Sequence, residues 1–221
     1  MRRLLVLRPE PGATVTLRRA RELGLDAIAV PLFRVEAVDW SAPEANALDG
    51  LLLTSANAVR HGGSALRALR DLPAFAVGQA TAEAARAAGF TVAAVGEKGV
   101  DQLLARVQPE LQLLHLCGEG RRPPVKPSQQ ITAVSVYRAI PIEAPDLSAA
   151  AGAVALIHSP RAGRRLAELV DERSRTPIAA ISPAAAEAVG TGWAEVESAA
   201  EQTDDALLAL AARLCNKPAP E

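Results

Sequence analysis

The sequence predicts an α/β fold built from parallel sheets covered by helices. Its 221 residues are 49% apolar but only 3% aromatic. That apolar content is mostly Ala, Leu and Val, a mix that suits helices packed on buried parallel strands. Short apolar runs alternate with segments of helical period, as in βαβ units. One stretch also repeats another at a fixed offset, the mark of a duplicated supersecondary unit.

The first strand is predicted at Leu4–Leu7. The opening Met-Arg-Arg-Leu-Leu-Val-Leu could start a signal peptide, but Arg8, Pro9 and Glu10 end the apolar run after a few residues. A helix over Ala13–Leu23, closed by Gly24, and a strand at Ala27–Val30 complete one βαβ unit. Pro31 breaks it, and Phe33–Val38 then alternates apolar and charged residues as a half-exposed strand does.

The segment from Leu53 to Val107 aligns without a gap on Ile157 to Ala211, at a constant offset of 104 residues with about fifteen identities. Ser55 falls on Ser159, Arg60 on Arg164, Pro73 on Pro177, Val92 on Val196 and Asp101 on Asp205. Each copy reads strand, serine turn, helix, strand, small-residue turn, helix, short strand, acidic turn, helix, which is half of a doubly wound sheet. The first copy runs on into a strand at Leu113–Leu116, whereas little follows the second. The economical topology pairs the N-terminal βαβ unit with the second copy, making that domain discontinuous. The chain then crosses between domains at Arg34–Val38 and Ala133–Ile140, two extended stretches able to pair with each other. The alternative joins residues 1–131 into one contiguous domain, and residue patterns alone leave both open.

Lys and Arg number 24 against 25 Asp and Glu, a net charge of −1, so nothing supports non-specific nucleic-acid binding. Cys117 and Cys215 have no paired spacing, and no secretory signal or membrane-length apolar run occurs. A cytoplasmic location and no membrane partner are expected. His61, His115 and His158 are scattered without a second ligand three or four residues away, so no metal site is expected.

In open parallel sheets ligands bind at the carboxyl ends of strands. The repeat puts four turns there: Thr54-Ser55-Ala56-Asn57 and Gly78-Gln79-Ala80-Thr81 in the first copy, His158-Ser159-Pro160-Arg161 and Ser182-Pro183-Ala184-Ala185 in the second. Hydroxyl residues at such turns cap helices and leave backbone N–H groups for an anion. The plainer reading of Ser55, Ser159 and Ser182 is that they only cap. Gly118-Glu119-Gly120-Arg121-Arg122 combines backbone freedom with two cations but lacks P-loop or dinucleotide spacing. Asp204 and Asp205 read as a helix N-terminus after Thr203 rather than as a catalytic carboxylate pair, and no Ser-His-Asp arrangement can be drawn. Tyr137 is the only tyrosine and lies on the return strand. A phenol there could donate a proton into a cleft between domains, or pack as a half-buried strand residue.

An ordered set of segments covers nearly the whole chain: Leu5-Val6-Leu7-Arg8-Pro9, Leu52-Leu53-Thr54-Ser55-Ala56-Asn57-Ala58-Val59, Val77-Gly78-Gln79-Ala80-Thr81-Ala82, Leu116-Cys117-Gly118-Glu119, Val136-Tyr137-Arg138-Ala139-Ile140-Pro141, Ser159-Pro160-Arg161-Ala162 and Ile181-Ser182-Pro183. In this order they resemble the uroporphyrinogen-III synthase family, whose members join two flavodoxin-like domains through a two-stranded linker. The resemblance implies the discontinuous topology, with domain 1 at 1–33 plus 143–221, domain 2 at 39–131, and linker strands at 34–38 and 132–142.

It also implies a cofactor-free monomeric lyase of tetrapyrrole biosynthesis. The substrate is then hydroxymethylbilane, a polyanionic four-pyrrole chain received from hydroxymethylbilane synthase. Arg8, Gly118 and Glu119 join Thr54, Ser55, Asn57, Gly78, Thr81, His158, Ser159, Arg161 and Ser182 as implied substrate-binding residues, and Tyr137 matches the family's cleft tyrosine. Where relatives often carry threonine after Gly-Pro, this chain has Ser182-Pro183-Ala184-Ala185, so Ser182 or the backbone must take the part of that hydroxyl. The loop between Arg122 and Ile131 is short for the family, leaving Arg121 and Arg122 undecided. Two rival readings are a hinged anion- or tetrapyrrole-binding module without catalysis and a degenerate nucleotide or flavin binder. The turns lack the glycine spacing that the latter needs.

Overall fold

The computed structural model describes residues 1–97, 99–121 and 123–217. The chain opens with β1 (Leu4–Val6), α1 (Gly12–Glu22), β2 (Ala27–Ala29) and β3 (Phe33–Ala37). Next come β4 (Gly50–Leu53), α2 (Ala56–His61), β5 (Ala74–Val77), α3 (Gln79–Ala87), β6 (Val92–Gly96), α4 (Val100–Leu104), β7 (Gln112–Gly118) and the long β8 (Gln130–Pro141). The last part is β9 (Val154–Ile157), α5 (Pro160–Leu169), β10 (Pro177–Ala180), α6 (Pro183–Glu187), β11 (Glu195–Ser198) and α7 (Asp204–Asn216).

These elements form two units, one of Met1–Arg34 with Pro141–Glu221 and one of Val35–Ile140, called domains 1 and 2 below. Domain 1 holds a five-stranded sheet in the order β11-β10-β9-β1-β2, and a six-stranded sheet runs β3-β8-β7-β4-β5-β6. The pairs β1–β2, β1–β9, β9–β10 and β10–β11 are parallel, as are β4–β5, β4–β7, β5–β6 and β7–β8. The stretches read as crossings are therefore sheet neighbours. β8 also pairs with β7 from Gln130 to Tyr137, so its first half belongs to the sheet.

The internal repeat extends to strand register. Leu51 faces Ala74 in β4–β5, and Ala155 faces Ile178 in β9–β10. Ala74 faces Val92, and Ile178 faces Val196. Both residues of each pair move by the same offset of 104 seen in the sequence. β7 flanks β4 as β1 flanks β9, Leu51 facing Leu114 and Ala155 facing Leu5. The N-terminal unit thus completes the second copy's sheet.

Burial on both sheet faces explains the continuous apolar runs. Leu51, Leu53, Leu114 and Leu116 fill one core of domain 2, and Leu52, Leu113, Leu103 and Leu104 fill another. In domain 1, Leu4, Val6, Val154 and Leu156 pack with Ala13 and Ala20 of α1 and with Leu207, Leu208, Ala211 and Leu214 of α7. α7 is 13 residues long, whereas its repeat partner α4 has 5. Pro109 follows α4 closely and disfavours helical backbone just before it. No helix among the described residues is long and apolar enough to cross a membrane.

Candidate functional site

At the carboxyl edge of the domain 1 sheet, Arg8 follows β1 and His158 follows β9, and α7 begins with Asp204. Arg8 Nη1 donates to Asp204 Oδ1 at 3.0 Å and to Thr16 Oγ1 at 3.3 Å, and the Thr16 hydroxyl donates to Asp204 Oδ2 at 2.8 Å. His158 Nε2 lies 3.2 Å from Asp204 Oδ1. Both ring nitrogens are buried, and neither makes a hydrogen bond of good geometry among the described residues. Burial would raise the Asp204 carboxyl, but His158, Thr16 and the Arg8 charge outweigh it and hold the group at about 2. Burial lowers His158 below the usual imidazole value, against an opposing pull from Asp204. At neutral pH this centre holds a cationic Arg8, an ionised Asp204 and a neutral His158.

The serines of domain 1 cap helices. Ser159 Oγ accepts from Ala162 N–H and Ser182 Oγ from Ala185 N–H, both at 3.2 Å. Each hydroxyl hydrogen remains available to donate. The Arg161 guanidinium lies 4.6 Å from the centroid of the Phe33 ring, a cation–π contact.

In domain 2, Thr54 Oγ1 is 2.9 Å from His115 Nε2. His115 is 1% exposed in the middle of β7. Burial, reinforced by the Arg121 charge, pushes the ring down to about 4, so it stays neutral. Its Nδ1 has no partner among the described residues. Ser55 caps α2 by accepting from Asn57 N–H at 3.2 Å, and Arg60 reaches Asn57 Oδ1 at 3.5 Å. Where domain 1 has Ser182 and Thr203 as caps, domain 2 has Gly78 at φ +81° and Gly99 at φ +98°. With no side-chain cap, the first N–H groups of α3 are left to solvent or ligand. Thr81, expected at a ligand-facing turn, is only 5% exposed, turned inward with Ala82 and Ala85 of α3.

Tyr137 and Gly118 are brought together: a Cβ on the glycine would stand 2.7 Å from Cε2 and Cζ of the ring. Glu119 is exposed, and its N–H donates to Tyr137 O at 3.1 Å. Tyr137 is half-buried against the domain 2 core, with the His61 ring 6.2 Å away between centroids. Burial and the neighbouring Arg60 charge lower His61. Arg121 is exposed with its N–H on Gly118 O, and Arg122 lies outside the described residues.

Sequence reasoning did not single out Thr16, weighed His115 only as a metal ligand, and read Asp204 only as a helix start. His115 had a local signal, because a polar side chain inside Leu-Gln-Leu-Leu-His-Leu-Cys must find a partner once buried. Asp204 had none beyond its helix-start position. Among the described residues no group of three or more His, Cys, Asp or Glu side chains converges to hold a metal.

Comparison with known proteins adds a family. The model of the uroporphyrinogen-III synthase family, HemD, matches residues 15–209. No match is found among curated protein sequences. The chain is similar in structure to uroporphyrinogen-III synthetase from Helicobacter pylori, with a TM-score of 0.69 at 16% identity over 97% of this chain and 100% of that one. A mutant uroporphyrinogen III synthase from the extremely thermophilic bacterium Thermus thermophilus gives a TM-score of 0.51 at 16% identity, with 97% and 100% covered. At such identities the likeness is one of fold. The family match runs through both domains and takes in every strand from β2 to β11, and on that ground the chain belongs to the uroporphyrinogen-III synthase family.

Proposed function

We propose that this chain cyclises hydroxymethylbilane to uroporphyrinogen III, losing water and inverting ring D. The observation that carries the reading is the family match over residues 15–209. Polar turns at the carboxyl edges of both sheets support it. Hydroxymethylbilane carries acetate and propionate groups on each of four pyrroles, and these edges offer groups that bind carboxylates. They include the Arg8 guanidinium, the hydroxyl hydrogens of Ser55, Ser159 and Ser182, and the uncapped N–H groups of α3.

In this reading the terminal hydroxyl of the bilane leaves as water, forming an azafulvenium electrophile. Ring D attacks through its substituted carbon to give a spiro intermediate, which rearranges so that the macrocycle closes with ring D reversed. Tyr137 is the proposed proton donor to the departing hydroxide. Its ring is half-buried against the domain 2 core and lies across Gly118 at the end of β7. The remaining polar residues hold the flexible chain so that closure at the wrong carbon, which gives isomer I without an enzyme, is outrun. We further propose that the protein works without a cofactor, as a monomer, and in the cytoplasm. Both cysteines are buried free thiols, which suits a reducing compartment.

The test generates hydroxymethylbilane in situ with its synthase, adds this protein, oxidises the products and separates the porphyrin isomers. Predominance of isomer III supports the reading. Isomer I alone sinks it and favours a non-catalytic tetrapyrrole- or anion-binding protein.

A further inference from the structure

We propose that Asp204 is a positioning residue, which acts by holding the Arg8 guanidinium in the pose that receives a substrate carboxylate. This rests on the function proposed above and deepens it. Arg8 makes two hydrogen bonds, both from Nη1, and both lead to Asp204, one directly and one through Thr16. Asp204 itself is 16% exposed, so its carboxylate is a fixed anchor rather than a mobile surface charge. The Arg8 side chain is 33% exposed. Neither Nε nor Nη2 is a buried orphan and neither has a hydrogen bond among the described residues, so this edge of the guanidinium reaches solvent. That free edge is the one able to take a carboxylate through two parallel N–H bonds.

Gly12 completes the arrangement. A Cβ there would stand 2.5 Å from Arg8 Nε, 2.8 Å from Cζ and 2.9 Å from Nη2. The guanidinium therefore lies against the first turn of α1, locked between a helix start on one side and Asp204 on the other. An unanchored Arg loses more rotamer freedom when it binds than one already fixed.

Charge and positioning predict opposite signs for Asp204. A carboxylate beside Arg8 weakens the local positive field, so if Asp204 acted only through charge, Asp204→Asn would tighten binding of a polyanion and lower KM. If it positions Arg8, Asp204→Asn and Asp204→Ala raise KM by about tenfold and leave kcat within about twofold. Gly12→Ala supplies a probe that changes no charge. It pushes the guanidinium away from its seat against α1, so KM should rise with the charges of Arg8 and Asp204 unchanged.

The experiment is a double-mutant cycle in the isomer-resolved assay on the full chain, with Asp204→Ala, Arg8→Ala and both together, and with Gly12→Ala and melting temperatures measured alongside. The expected result is that the double variant has the KM of Arg8→Ala alone, because a positioner has nothing to position once Arg8 is gone. Losses that multiply, or a lower KM in Asp204→Asn, overturn the proposal while isomer III formation by the wild type leaves the function standing. A wild type that forms only isomer I overturns both. Should Asp204→Ala fail to fold, Asp204→Asn takes its place in the cycle and decides the matter by the direction in which KM moves.

Discussion

The aromatic ring of Tyr137 lies across Gly118, so close that a Cβ on the glycine would stand 2.7 Å from Cε2 and Cζ. The pair closes the parallel β7–β8 ladder, Gly118 at the end of β7 facing Tyr137 within β8. If the phenol assists hydroxide departure, Tyr137→Phe keeps the ring's packing and lowers kcat, by roughly a hundredfold on the usual scale of acid catalysis. Full turnover in this variant would remove the residue from the mechanism. Gly118→Ala forces the ring away and should cost about 1–3 kcal/mol of stability through overpacking, with kcat falling as well. Urea denaturation and single-turnover kinetics on the two variants separate these effects.

His115 should make the protein acid-sensitive. Its ring takes a proton near 6.5 when unfolded and only near 4 in the folded chain. Between those values the unfolded state binds more protons, so stability is greatest above the window and falls as pH drops through it. Between pH 7 and pH 5 the loss is about 2 kcal/mol. His115→Gln should flatten this part of the profile, which urea midpoints at several pH values will show. A variant profile as steep as that of the wild type would put the sensitivity elsewhere, His158 being the next candidate because burial lowers it too.

Ser182 separates capping from ligand binding. Its Oγ accepts from Ala185 N–H at 3.2 Å, so Ser182→Ala should cost about 1 kcal/mol, whereas glycine at the cap costs only a few tenths. If capping were its whole role, Ser182→Gly would restore both stability and KM. A hydroxyl that also donates to a substrate carboxylate predicts that Ser182→Gly recovers the melting temperature but leaves KM raised by about fivefold to tenfold. The comparison needs only thermal melts and steady-state kinetics.

Each domain contains one buried cysteine, Cys215 in domain 1 and Cys117 in domain 2. Burial raises both thiols, Cys215 to about 11, so neither should react with a thiol reagent in native buffer. Leu208 and Cys215 share the domain 1 core, and Leu208 is 1% exposed. Leu208→Ala should therefore cost about 2–5 kcal/mol and speed labelling of Cys215 more than that of Cys117. Equal acceleration at both sites, read by peptide mass spectrometry, would mean that the two cores unfold as one.

The α/β class, the order of the elements and their repetition are all legible along the chain before any folding is considered. They are recorded in short-range patterns: apolar runs for buried strands, Ser55, Ser159 and Ser182 at helix starts, Gly24 at a helix end. The offset of 104 residues survives as strand register, with Ala74 facing Val92 and Ile178 facing Val196, because parallel pairing depends on the same local spacing in each copy. Element ends moved by a residue or more where tertiary pairing extended them, as when β8 ran from Gln130 to Pro141. Polar convergence left no such trace. Asp204 lies 196 positions from Arg8 and 188 from Thr16, and by itself it reads as an ordinary acid at a helix start. Thr81 fits a turn by type but faces inward, and His115 looked isolated until β4 and β7 paired. Periodicity and capping act across three or four residues and can be read residue by residue. Which side chains share a proton or a charge depends on which strands lie side by side, and that is set by the folded sheets.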